Sequence, residues 1–180
     1  MKLIKKFLTF AIILLSINNS LSNHLRAVAK DENLQFQIIE KNSNKCLDLL
    51  NKKTADKTVL ALGTCNLKEK RQYWFVKKIS EDSYVISNVE TGFTVNPLSG
   101  VHIISDRRMI MTKSSGKPST SQQFTFTKQD SDGFMMVTNK GNNQCMDAQG
   151  QKVADNTEII SYPCKPNQKN QYWKFVLVGK

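Results

Sequence analysis

Two sets of polar residues recur at fixed spacing along this chain. Near the front stand Cys46, Asp48, Cys65 and Gln72, and near the end stand Cys145, Asp147, Cys164 and Gln171. In each set the cysteines are 19 positions apart, the aspartate lies two after the first of them, and a Gln-Tyr-Trp begins 24 after the aspartate. Thiols at such positions either oxidise to disulfides or hold a metal. No histidine lies near either pair and the spacings are not finger-like, so zinc is the weaker reading. Four cysteines allow three pairings. Equivalent spacing in two equivalent units selects Cys46–Cys65 and Cys145–Cys164, each closing one local loop and each contributing about 3 kcal/mol by the chain-entropy argument. The aspartates can either bond nearby backbone in a turn or accept hydrogen bonds from an outside ligand. Enzymic chemistry has little to work with. The two histidines, His24 and His102, sit in no repeated or glycine-framed context. There is no nucleophile elbow, metal-ligand cluster or glycine-rich phosphate loop, and no carboxylate pair stands out as a glycosidase dyad. The expectation is a protein that is not an enzyme and takes no cofactor and no metal.

The elements that would position these residues are short strands. Lys2, Lys5 and Lys6 precede an apolar run from Phe7 to Ile17, with small residues at Ser20 and Ser22. This reads as a signal peptide over residues 1–22, cleaved after Ser22, and hence as a secreted chain with no membrane span after cleavage. Residues 23–33 are polar and read as a flexible lead-in. The signal carries three lysines and no acid, which leaves +8 of the formal charge of +11. That excess is scattered over Lys68, Lys70, Arg71, Lys77, Lys78, Arg107 and Arg108, as on a solvated face, although a polyanion-binding patch is a competing reading. From Leu34 onward, short β-type segments alternate with turns rich in Asn, Gly, Asp and Ser, and no helical stripe of three turns is present. Predicted strands include 34–40, 59–62, 74–77, 84–87, 110–112, 124–127, 135–138, 159–162 and 173–178.

A third, degraded copy fills the middle. Gln122 lies 50 residues after Gln72 and 49 before Gln171. Thr94 falls where the other copies have the first cysteine, and Asn96 where they have aspartate. Three all-β units, at about 34–79, 83–128 and 133–178, cannot each bury an apolar face alone. Around a pseudo-threefold axis they can close one small barrel and share its core. Trp74, Phe124 and Trp173 should then form one inward set, and Phe36, Tyr84 and Phe134 another.

A threefold β repeat with an early Cys-x-Asp and a second cysteine ahead of a closing Gln-x-Trp resembles the ricin B-chain-type (R-type) lectin domain, over about Leu34 to Val178. The resemblance implies a single β-trefoil and binding of glycans or glycoproteins, of galactose or N-acetylgalactosamine type. Carried over to the last copy, it makes Asp147 the acceptor for two neighbouring sugar hydroxyls. Tyr162 becomes the aromatic platform, Asn170 the amide on a ring hydroxyl, and Gln171 the residue that steadies the aspartate. Ile160 takes a position whose backbone can contribute. In the first copy Asp48 and Gln72 persist, but Gly63 stands at the platform and Arg71 at the asparagine position, so that site should be silent or weak. In the middle copy Asn96 replaces the aspartate, Ser121 falls at the asparagine position, and the platform cannot be aligned.

These residue types suit a sugar. A carboxylate accepts from adjacent hydroxyls at once, and an aromatic ring lies against the C–H face of a pyranose. One sugar site, in the third repeat, is the leading expectation. The runner-up is a basic trefoil that binds sulfated, heparin-like polyanions by electrostatics, and an inert trefoil comes after it. Neither nucleic acid nor a membrane is an expected partner, while an oligomer or a separate partner chain is.

Overall fold

The computed structural model describes residues 34–98, 107–114 and 116–179. The signal peptide and the lead-in expected over 1–33 lie outside these described residues. Twelve short strands follow in order: β1 (Gln35–Glu40), β2 (Cys46–Leu49), β3 (Leu60–Gly63), β4 (Trp74–Lys78), β5 (Tyr84–Asn88), β6 (Thr94–Pro97), β7 (Met109–Thr112), β8 (Phe124–Phe126), β9 (Met135–Asn139), β10 (Gln144–Ala148), β11 (Ile159–Pro163) and β12 (Tyr172–Gly179). β1, β4, β5, β8, β9 and β12 pair in a closed antiparallel ring, each with two neighbours. Closure leaves this ring without a free edge. The remaining strands form three hairpins, β2–β3, β6–β7 and β10–β11. Isolated bridges Val59–Ile110, Ala61–Glu158 and Arg108–Ile160 tie each hairpin to the next. Six barrel strands capped by three hairpins make the expected β-trefoil.

Register fixes which positions are equivalent. The partners Cys46–Gly63, Thr94–Thr112 and Cys145–Tyr162 open the three hairpins in the same way. Each hairpin is entered through a residue with positive φ two positions earlier: Asn44, Gly92 and Asn143, at 56°, 70° and 55°. Asparagine and glycine are the residues that tolerate this left-handed conformation. The strands β2, β6 and β10, which were not among the predicted strands, are those that carry Asp48, Asn96 and Asp147. They are only four or five residues long, and polar and apolar residues are mixed in them without a clear alternation, nearly all of them buried.

The core lies where the barrel meets the cap. Trp74, Phe124 and Trp173 are all fully buried, as expected. Each indole N–H donates into its own hairpin, Trp74 to the Leu47 carbonyl at 3.1 Å and Trp173 to the Met146 carbonyl at 3.0 Å. The closing Trp thus holds the strand that bears the aspartate. The second inward set needs correction. The turns bonded as Asn44 N to Glu40 O, Gly92 N to Asn88 O and Asn143 N to Asn139 O align Phe36 with Tyr84 and Met135, not with Phe134. Spacing between copies is uneven, and a fixed period slipped by one residue onto the neighbouring aromatic. Phe134 is half-buried, with the Lys41 and Lys174 ammonium groups 5.1 and 5.6 Å from its ring. Tyr84 is also half-buried and stacks on Phe126 at 4.6 Å. From β1, β5 and β9, the residues that reach the central core beside Trp74, Phe124 and Trp173 are Ile38, Ile86 and Val137.

Both expected disulfides are present, Cys46–Cys65 and Cys145–Cys164. All four thiols are therefore consumed, which removes the zinc reading.

Candidate functional site

In the third repeat, β10 and β11 put Asp147 directly across from Ile160, and Cys145 across from Tyr162. Paired and alternate residues of a hairpin share a face, so Asp147, Ile160 and Tyr162 project from one side. Their neighbours Met146, Ala148 and Ile159 point the other way, into the core. A short 3-10 turn, Lys169–Gln171, then brings Asn170 and Gln171 against the aspartate from the end of the repeat. Gln171 is fully buried and uses both ends of its amide. Its Nε2 donates to Asp147 Oδ2 at 2.8 Å and to the Pro163 carbonyl at 3.0 Å, while its Oε1 accepts from the Lys165 N–H at 2.7 Å. Asn170 Nδ2 donates to the Ala148 carbonyl at 3.0 Å, and its buried Oδ1 has no partner.

Asp147 is 3% exposed. Burial pushes its carboxyl above the usual carboxylate range, against the hydrogen bonding of Gln171 and Asn170 and the attraction of Lys165, which favour the charged form. Gln171 Nε2 is the donor at hydrogen-bond distance from Oδ2, Asn170 also favours the ionised carboxyl, and both are neutral amides. The unmet amide oxygen of Asn170 beside this carboxylate is costly in a closed core and useful where a ligand supplies the donor.

The first repeat has the same frame and a different content. Gln72 Nε2 donates to Asp48 Oδ2 at 2.8 Å and to the Thr64 carbonyl at 2.9 Å, and Oε1 accepts from the Asn66 N–H at 2.9 Å. Here Arg71 occupies the place of Asn170. Its Nε lies 2.9 Å from Asp48 Oδ1, its Nη2 donates to Oδ2 at 3.4 Å, and its far end pairs with Glu69. The Leu49 N–H adds a bond to Asp48 Oδ1 at 2.7 Å. Both oxygens of this carboxylate are already occupied from within the chain. At the platform position, a Cβ on Gly63 would meet Asp48 Oδ2 at 2.4 Å, so the carboxylate leans into the space a side chain would need.

The middle repeat departs further. Register places Thr112 at the platform position that the sequence left unaligned. Gln122 Nε2 donates to Thr94 Oγ1 at 2.7 Å in place of a carboxylate, and Asn96 keeps a buried, unpartnered Oδ1.

The structure therefore brings Asp147, Ile160, Tyr162, Asn170 and Gln171 to one wall, and Asp48 and Gln72 to a second wall that Arg71 closes. Sequence reading missed two further residues at the first of these. Arg107 Cζ lies 5.0 Å from the Tyr162 ring centroid and Lys165 Nζ 5.3 Å from it. Arg107 belongs to the middle repeat and arrives because the Ser161 N–H donates to its carbonyl at 2.6 Å. A lone Arg-Arg pair carries no sign of that contact.

Residues 34–173 match the family model described as ricin-type beta-trefoil lectin domain. Among solved structures, the chain is similar to ThreeFoil, a designed threefold-symmetric protein, at 18% identity and a TM-score of 0.70, over 79% of this chain and 97% of that one. It is similar to an exo-β-1,3-galactanase from Clostridium thermocellum at 23% identity and a TM-score of 0.71, over 81% of this chain but only 30% of the galactanase. It is also similar to the Rhizoctonia solani agglutinin at 17% identity and a TM-score of 0.65, over 79% and 94% of the two chains. At these identities the likeness shows the fold alone. No curated protein matches the chain.

Proposed function

The chain belongs to the ricin-type β-trefoil lectin domain family, and from that premise we propose that it is a secreted lectin that binds a galactose-type sugar through one site, in the third repeat. The supporting observation is the contrast between two aspartates in one frame. Asp147 is held by neutral amides next to a half-buried tyrosine and has no ion pair among the described residues, whereas Asp48 is paired with Arg71 and also bonded by Gln72 and its own backbone. In this reading Asp147 accepts bonds from two vicinal hydroxyls and the Asn170 amide meets a third. The Tyr162 ring covers the C–H face of the pyranose, and Gln171 holds the carboxylate in place. Ile160 flanks the aspartate across the hairpin. The two disulfides suit an oxidising, extracellular compartment.

A single shallow site competes with water for every bond, so a dissociation constant of order 1 mM is expected, about 4 kcal/mol. Useful retention then requires several copies or a dense glycan. The test is retention on immobilised galactose. Asp147→Ala and Tyr162→Ala should each abolish it, and Asp48→Ala should not. Equal retention of all three variants would exclude this site.

A further inference from the structure

We infer that the sugar taken by the third repeat carries a negative charge, a sulfate ester or a carboxylate, placed to meet Arg107 and Lys165 beside the Tyr162 ring. This rests on the lectin reading of that site and narrows its ligand. Two cations stand within about 5 Å of one ring centroid, at 5.0 and 5.3 Å, and both are exposed. Neither makes an ion pair with a carboxylate among the described residues. Both are anchored through their backbones. The carbonyl of Arg107 accepts from Ser161 N on β11, and the N–H of Lys165 donates to Gln171 Oε1, so both side chains start from fixed points.

The arrangement is particular to this site. The bonds Leu62 N to Thr157 O and Met111 N to Thr58 O are the counterparts of Ser161 N to Arg107 O. The same position is therefore a buried threonine at the other two hairpins and an exposed arginine only where the aromatic platform exists. In the first repeat, Asn66 N donates to Gln72 Oε1 as Lys165 N does to Gln171 Oε1, so a neutral asparagine stands there in place of the lysine. A neutral sugar on Tyr162 would offer no charge to these two exposed cations, of which Lys165 is attracted by Asp147 as well. A sugar with an acidic substituent turned away from Asp147 would give its hydroxyls to the aspartate and its anion to the guanidinium and ammonium. Charge-assisted bonds of that kind are the stronger ones, and an arginine fork fits both sulfate and carboxylate.

The experiment is calorimetric titration of the intact protein with methyl β-galactoside, galactose 6-sulfate and galacturonate, repeated on Arg107→Gln/Lys165→Gln and on Asp147→Asn. The wild type should bind at least one charged sugar roughly tenfold more tightly than the neutral one. Whether sulfate or carboxylate gains more identifies the acidic group. In the double variant the charged-to-neutral ratio should fall to about one. Equal affinity for all three sugars in the wild type, or an undiminished ratio in the double variant, overturns the inference. Asp147→Asn separates this from the underlying reading. Loss of every sugar in that variant leaves the lectin site standing, whereas charged-sugar binding that survives it and fades with salt would remove the lectin reading as well.

Discussion

The first and third repeats build the same scaffold around opposite local chemistries. In both, a glutamine from a 3-10 turn binds an aspartate, a strand-end carbonyl and the backbone N–H of a nearby loop residue. In both, a buried tryptophan fastens the aspartate strand to the barrel. The difference sits one residue before the glutamine. Arg71 turns Asp48 into half of a buried ion pair, while the neutral Asn170 gives Asp147 no charge partner. The scaffold is thus indifferent to whether a carboxylate is internally neutralised or left for a ligand. That choice rests on one side chain, together with what occupies the opposite strand, glycine in one case and tyrosine in the other.

The largest effect expected on this comparison comes from removing the lock. Arg71→Ala leaves the Asp48 charge buried, 4% exposed, with only neutral donors, and should cost about 3 kcal/mol in denaturant unfolding. The matching change Asn170→Ala removes no charge partner and should cost about 1 kcal/mol. Similar losses at both positions would mean that Arg71 is not a lock.

Next in size is Asp147→Asn, which should weaken sugar binding more than tenfold while leaving the fold at least as stable at neutral pH. The sign follows from the raised carboxyl. A carboxyl held above its unfolded value favours folding below that unfolded value, and the advantage is lost as pH rises through the folded value. At neutral pH, ionised Asp147 is therefore a cost that the amide lacks. A thermal melt of this variant that drops by several degrees would contradict that origin.

A smaller effect tests the platform. Gly63→Ala drives a methyl group against Asp48 and should cost about 1–2 kcal/mol. In an Arg71→Asn background the carboxylate is released and the penalty should shrink. A double-mutant cycle that shows simple additivity would deny that the two positions share one space.

The mildest expectation concerns pH. Sugar hydroxyls donate to ionised Asp147, so affinity is present above the carboxyl's folded value and declines as pH falls through it. Titration of binding between pH 7 and pH 4 should show the loss beginning higher than an ordinary surface aspartate would give.

Much of this was legible in the chain itself. The paired Cys-x-Asp and Gln-Tyr-Trp segments specified the repeat, the two disulfides and the buried Trp74 and Trp173, while the set Asp147, Tyr162, Asn170 and Gln171 came from the family resemblance. Matched local spacing implies matched local structure, because each hairpin and turn is closed within its own repeat. The strands that carry the aspartates were not legible, because they are short, buried on both faces and interrupted by the aspartate, and are held by pairing and by an indole hydrogen bond, not by hydrophobic alternation. Phe134 went to the wrong register because the copies are unequal in length: the equivalent turn residues Asn44, Gly92 and Asn143 lie 48 and then 51 positions apart.

The sequence by itself determined how many units fold, what cross-links them and which residue types face one another inside a unit. Only the tertiary structure decided what crosses between units or competes for one carboxylate. Arg107 reaches Tyr162 from another repeat, Thr112 takes the vacant platform position, and Arg71 bends back onto Asp48. The first depends on how hairpins of different repeats meet, and the other two on pairing register and side-chain direction inside one repeat, none of which spacing along the chain encodes.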